Sequence, residues 1–229
     1  MELTAFALWL NTFFAGYDRA ILTLMNGLGK ILGVVLTPLM KLVTLLGEKG
    51  ILFFLAALVL MCFARTRKIG VCLFGAVACG ALITNIILKD WVARPRPFEA
   101  EELYRQFWMA IGSPAEDGFS FPSGHVTAAA AGMTALSLTR GKKWVWPSVI
   151  VVLVMAIARN YLMAHYPSDV LFAAVIGLAS GLIAWEITKL IFRFLEEHDE
   201  QNWCALVLDF DLPLPRLPGS YVGKHEKRK

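Results

Sequence analysis

Six apolar runs, separated by short charged interruptions, constrain this chain more than any other feature: 21–46, 50–64, 69–88, 122–138, 144–163 and 168–195. Lipid offers a backbone no hydrogen-bonding partner, so a continuous apolar run must satisfy its own N–H and C=O groups as a helix. Composition agrees, since 57% of the residues are hydrophobic and only 17% are charged, far from the balance of a water-soluble domain. The expected fold class is all-α: an integral membrane bundle of about six transmembrane helices. Residues 1–195 form the membrane domain, with its core at 50–195. Residues 196–229 are expected to be a polar, flexible cytoplasmic tail, with prolines at 213, 215 and 218.

The N-terminal part admits more than one reading. Residues 4–15 are apolar but short and are closed by Tyr17, Asp18 and Arg19, which suits an interfacial segment as well as one that enters the membrane. The run 21–46 carries Lys30, Pro38 and Lys41, and its two lysines share a helical face. That fits a tilted span with snorkelling ends or an amphipathic surface helix, and the run is read here as a crossing. The chain opens on Glu2 without a basic region or small-residue cleavage pattern, so no removable signal peptide is expected. Cys62, Cys72, Cys79 and Cys204 form no Cys-x-x-Cys pair and read as packing residues. The net charge of +4 gathers at the ends of apolar runs rather than along one face, which excludes a nucleic-acid partner and points to the bilayer.

Successive crossings alternate in direction. The end of 69–88, the start of 122–138, the end of 144–163 and the start of 168–195 therefore share one membrane face, and the unusual polar residues lie there. The opposite face receives Arg65, Arg67, Lys68, Arg140, Lys142 and Lys143 in two short loops. The positive-inside rule makes that face cytoplasmic and leaves the polar cluster extracytoplasmic, in a multi-pass protein of the cell membrane.

Three groups of residues meet on the polar face. Between Lys89 and Pro97, Pro95 and Pro97 push Arg94 and Arg96 into extended backbone, so the chain can turn a guanidinium back over the site. Arginine presents a fork to phosphate oxygens and lysine a point charge. Between Phe121 and Thr127, Pro122 suits the first turn of a helix whose free amides and dipole form an anion cradle. Ser123 adds a hydroxyl there, Gly124 allows close approach, and His125 titrates near neutrality. Between Arg159 and Asp169, Pro167 is expected to open the last helix, with Asp169 in its first turn and within reach of His165. A carboxylate on one imidazole nitrogen fixes the tautomer and aims the other at substrate, which makes His165 a candidate nucleophile. Singly, these groups also read as snorkelling charge, helix start and hydrogen-bonded cap; their coincidence on one face points to chemistry. No acidic cluster or His/Cys set has metal-ligand spacing, so neither a metal nor another cofactor is expected.

In order and spacing, Lys89-x6-Arg96-Pro97, Pro122-Ser123-Gly124-His125 and Arg159-x5-His165-x3-Asp169 resemble the three signatures of the type 2 phosphatidic acid phosphatase superfamily. The resemblance implies a six-helix membrane core and a metal-independent phosphatase. It implies that Lys89, Arg96, Ser123, Gly124 and Arg159 hold a phosphate. It also implies that His165, oriented by Asp169, attacks phosphorus to give a phosphohistidine, while His125 protonates the leaving oxygen and then activates water. One departure is visible: the family usually has Ser before the third-motif Arg, and here Ala158 removes that hydroxyl. The implied substrate is a phosphorylated membrane lipid, with undecaprenyl pyrophosphate, phosphatidylglycerol phosphate and phosphatidic acid as candidates. Transfer of phosphate from lipid to an acceptor other than water is a related reading. A non-enzymatic transporter or scaffold that binds anionic headgroups is the other, although transporters place ionisable residues near mid-membrane rather than at span ends.

Overall fold

The structure, a computed structural model, describes residues 3–212. Its helices are α1 (Ala5–Phe13), α2 (Ala15–Leu46), α3 (Ile51–Met61), α4 (Arg67–Ala81), α5 (Lys89–Val92), α6 (Pro97–Ala100), α7 (Glu102–Ala110), α8 (Gly124–Arg140), α9 (Val145–Tyr161), α10 (Pro167–Glu197) and α11 (Asn202–Asp209). A 3-10 turn at Glu48–Gly50 joins α2 to α3, and a π-helical stretch at Leu82–Leu88 joins α4 to α5. Among the described residues, four stretches are long and apolar enough to cross a membrane by length and composition: Ala15–Met61, Arg67–Ala100, Lys142–Tyr161 and Pro167–Glu197. The 17-residue α8 runs among α4, α9 and α10 and is buried from His125 through Met133.

Packing here follows membrane rules, because lipid tails give apolar side chains no reason to turn inward and close backbone approach becomes the source of association. Helix α10 buries Ala173, Gly177, Ser180, Gly181 and Ala184, and exposes Leu171, Val175, Leu178, Leu182 and Ile187. A Cβ at Gly177 would sit 2.5 Å from the Ala130 Cβ and 2.6 Å from the Thr127 carbonyl oxygen, so α10 and α8 touch backbone to backbone. That contact fixes the start of α10, which carries Asp169, beside the start of α8, which carries His125. Helix α8 begins at Gly124, with Ser123 in the extended backbone of an N-cap. Pro122 therefore stands before the helix, after a cis peptide bond, and not in its first turn as expected.

The run 21–46, expected to cross, lies across the site end of the bundle. Near the N-terminus of α2, Asp18 accepts a hydrogen bond from the Ser168 amide at the start of α10 (2.8 Å). Just past its C-terminus, Glu48 reaches His125 in the first turn of α8 (3.3 Å). Both ends of α2 thus meet the same layer. Between them Leu22, Met25 and Met40 pack on Tyr104 and Phe107 of α7 and on Ala158, Tyr161 and Leu162 at the end of α9. Length and hydropathy suit a crossing, while the carboxylate of Asp18 is held at the site end by Arg94 and Ser168.

At the opposite end, residues 196–212 are docked rather than flexible. Arg67 donates to the carbonyls of Val207 (2.5 Å) and Leu208 (2.8 Å) and to that of Phe210, so this buried charge secures α11 beneath the α3–α4 turn. The three tail prolines lie outside the described residues.

In a cysteine-free background, single cysteines placed at Arg19 and Lys49, which flank most of α2, are expected to react with a membrane-impermeant maleimide from the same side. Labelling from opposite sides would make α2 a crossing.

Candidate active site

The π-helical stretch widens the end of α4, as such stretches often do beside functional sites. It sets Asn85 against α8: a Cβ at Gly124 would lie 3.1 Å from the Asn85 Oδ1, so glycine is what lets the two elements close. The cavity formed there has a volume of about 580 Å³, and its lining includes Lys89, Arg96, Glu116, Gly124, His125 and His165. Side chains separated by some seventy positions in the chain are thereby brought to one hole.

Its donors are of two kinds. Arg159 is fully buried (0% exposed); its Nη2 donates to Glu116 Oε1 at 2.5 Å, while its Nε and Nη1 have no partner. The Ser123 hydroxyl is likewise buried without a partner and makes no capping bond to α8. Buried donors left open in this way are rare and call for an acceptor. Lys89 has no ion pair among the described residues. Arg96 behaves differently: it donates to the carbonyls of Asp117, Gly118 and Ala164, each at 2.9 Å, and holds the 112–120 loop against the turn before α10. Its remaining reach is toward Glu116 Oε2, at 3.6 Å. The acidic side chain of Glu116 thus sits as an internal anion on the two guanidiniums expected to hold phosphate.

Between the histidines and their partners the geometry departs from expectation at one point. Asp169 lies in the first turn of α10 as expected, but it makes no hydrogen bond to His165. Its Oδ1 accepts from Arg94 Nη1 (2.5 Å), and its Oδ2 accepts from the Tyr166 amide (2.9 Å) and the Ser120 hydroxyl (2.5 Å). His165 Nδ1 instead donates to the Ser120 backbone carbonyl at 2.6 Å. Asp169 therefore positions His165 through Ser120, and the tautomer with a free Nε2 follows from that bond. Burial, together with the Arg159 and Arg96 guanidiniums, holds the His165 pKa well below its ordinary value. A depressed histidine pKa keeps the ring neutral at and below pH 6.5, with a lone pair on Nε2. His125 places its Nε2 3.3 Å from Glu48 Oε2.

Of the two arginines between Lys89 and Pro97, Arg96 lines the cavity and Arg94 does not. Arg94 bridges Asp169 and Asp18 (2.8 Å), bonds Ser168 Oγ and Asn11 Oδ1 (both 2.8 Å), and stacks on the Tyr166 ring at 3.9 Å. The motif spacing gave no signal for Glu48, Asn85, Glu116 or Ser120, which come from a turn, a helix interior and a loop. Only Ser120, one residue before Phe121, was near enough to a motif to be suspected.

If Glu116 occupies the anion site, Glu116→Gln frees Arg159. Inhibition by orthovanadate is then expected to tighten about tenfold, the equivalent of roughly 1.4 kcal/mol from one charge-assisted hydrogen bond. Unchanged or weaker inhibition would show that Glu116 does not compete with the ligand.

Comparison with known proteins places these features among relatives. The model of the PAP2 superfamily matches residues 69–193, more than half of the chain. The chain is 30% identical over 122 residues to the undecaprenyl-diphosphatase BcrC of Bacillus subtilis, a match covering 53% of this chain and 60% of that protein. It is 36% identical over 99 residues to phosphatidylglycerophosphatase B of Haemophilus influenzae, covering 39% of this chain and 38% of that one. The chain thus spans about half the length of the curated relatives it matches. The crystal structure of a PAP2-type phosphatidylglycerolphosphate phosphatase from Bacillus subtilis shares the fold, with a TM-score of 0.57 at 21% identity over 86% of this chain and 93% of that one.

Proposed function

The chain belongs to the PAP2 superfamily, and from that premise we propose that it hydrolyses a phosphate ester or anhydride on a membrane lipid through a phosphohistidine at His165. One observation carries the reading: His165 and His125 line a single cavity together with Glu116, whose carboxylate accepts from the otherwise open Arg159 guanidinium, and with Gly124, next to the unpartnered Ser123 hydroxyl. A multi-pass helical bundle supports a substrate whose chain stays in the bilayer, with its phosphate entering at the interface.

In the proposed reaction the phosphate displaces Glu116 from Arg159 and is held by Arg159, Ser123, Lys89 and the amides opening α8. His165 Nε2 forms a bond to phosphorus in line with the bond to the leaving oxygen, which breaks as His125 supplies its proton. The Nδ1–H of His165 stays on the Ser120 carbonyl, so the positive charge that develops on the ring is shared with a backbone dipole. His125, now neutral, takes a proton from water as the water attacks phosphorus, and inorganic phosphate and free His165 result. Positioning and charge neutralisation carry most of such a reaction, because fixed cations meet negative charge in a site that excludes bulk water. The chemistry draws on no metal. The site opens on the extracytoplasmic side, a reading supported by Lys68, Arg140, Lys142 and Lys143 at the opposite ends of the helices. Undecaprenyl pyrophosphate, phosphatidylglycerol phosphate and phosphatidic acid are the candidate substrates, and no nucleic acid is involved.

His165→Ala is expected to abolish phosphate release from every phosphorylated lipid while the protein stays folded, and His125→Ala to slow release by about 10²-fold or more. Full turnover by the His165 variant would overturn the assignment, and loss of wild-type activity to a chelator would overturn the metal-free step.

A further inference from the structure

A second groove runs between α2 and α7, and it shares no lining residue with the catalytic cavity. Asn26 and Lys30 of α2 line it together with Leu103, Gln106, Phe107 and Ile111. Its volume of about 400 Å³ falls within the range of small-molecule sites, about 300–1,000 Å³. Gly29 shapes it. A Cβ there would lie 2.2 Å from the Phe107 Cζ, so only a bare backbone lets that ring seat against α2 and leaves the space beside it open.

Two groups in the groove lack partners. Asn26 is 5% exposed, and its Oδ1 is buried with no hydrogen bond. A buried acceptor of this kind calls for a donor. Lys30 stands one helical turn further along, exposed at the rim, with no carboxylate within ion-pair distance among the described residues. Glu102, the acid in the first turn of α7, is engaged instead by Arg105 (3.5 Å) and Gln106 (3.2 Å). An acceptor at depth and a cation at the rim match a ligand that carries a donor and an anion close together. The other walls are largely apolar, and the surface of α2 continues so past Lys30, where Ile31 and Val34 are almost fully exposed. A soluble phosphate would have no use for such walls, whereas an acyl chain would.

We propose that this groove binds a bilayer glycerophospholipid whose headgroup carries an N–H or O–H donor. The phosphodiester pairs with Lys30, the headgroup donates to the Asn26 Oδ1, and the acyl chains lie along Leu103, Ile111 and the exposed apolar side of α2. Phosphatidylglycerol and phosphatidylethanolamine share that chemistry. Phosphatidylcholine lacks the donor, because its nitrogen carries only carbon, and diacylglycerol lacks the phosphate. Neither Asn26 nor Lys30 lines the catalytic cavity, so binding here is independent of phosphate-ester hydrolysis. A lipid in this place bridges α2 and α7. It thereby holds α2 on the layer that Asp18 and Glu48 reach at its two ends.

The test follows the melting temperature of the purified full chain in detergent as short-chain phosphatidylglycerol, phosphatidylethanolamine, phosphatidylcholine or diacylglycerol is added, since a ligand of the folded state raises it with saturation. The first two are expected to act at about tenfold lower concentration than the choline lipid, the effect of one buried hydrogen bond, and diacylglycerol to be weaker still. Asn26→Leu should bring the first two to the level of the choline lipid. Lys30→Gln, at an exposed position where folding is not at stake, should raise the midpoints of all three phospholipids about tenfold. Lys89→Gln, in the catalytic cavity, should leave every curve in place. A response to phosphatidylglycerol alone would assign the donor to a hydroxyl, and one to phosphatidylethanolamine alone to an ammonium. No response, an equal response to all four lipids, curves unmoved by Lys30→Gln, or a response lost with Lys89→Gln would each overturn the site.

Discussion

A buried arginine holds this architecture together. Arg94, 1% exposed, bridges Asp18 near the start of α2 and Asp169 at the start of α10, and the hydroxyl of Ser168 joins the pair. Three segments distant in the chain are joined by one guanidinium. The fork geometry of arginine permits this where a lysine ammonium would not, because separate N–H groups reach separate carboxylates while the ring of Tyr166 covers the face. Removing one partner of such a buried cluster costs about 3–5 kcal/mol, since the others are left charged and unpaired. The cluster lies behind the cavity, which neither Arg94, Asp18 nor Asp169 lines. It sets where α10 starts, and through Asp169 and Ser120 it sets the angle of the His165 ring.

The second constraint is close helix packing. Glycine and alanine on α10 and alanine on α8 bring two backbones into contact, so the starts of both helices share one depth and the two histidines meet across one cavity. With the apolar side chains left to face lipid, the interior near the site is free for arginine, serine and histidine. The arginines divide the work: Arg94 organises, Arg96 ties a loop to the turn before α10, and Arg159 retains unused donors. Three residues of one type do three different things because their backbone settings differ.

Much of this could be read from the chain before the structure. Continuous apolar runs announced helices, and the spacing of Lys89, Arg96, Ser123, His125, Arg159, His165 and Asp169 announced residues that the fold gathers at one end of the bundle, because both depend on residue type and local periodicity. Partners across space are less accessible. Asp169 looked like a direct companion of His165, four positions away, yet Ser120, 45 positions away, takes that place. Arg94 and Arg96 sit in nearly the same local sequence, and only the fold turns one inward to carboxylates and the other to carbonyls. Helix α2 had the length of a span, and its position depends on one aspartate whose partners lie far along the chain. Glu48 and Glu116 looked like ordinary loop charges because nothing local marks a side chain as facing a histidine or an arginine.

The proposed chemistry turns on His165, whose ring is held by the Ser120 carbonyl and would meet a phosphate beside Arg159. A structure of the vanadate complex tests it most directly. Vanadium is expected bonded to the Nε2 of His165, with its equatorial oxygens on Arg159 and Ser123 and with Glu116 swung away from Arg159. Vanadate bonded to His125, or bound with no bond to His165 and with Glu116 still on Arg159, would contradict it.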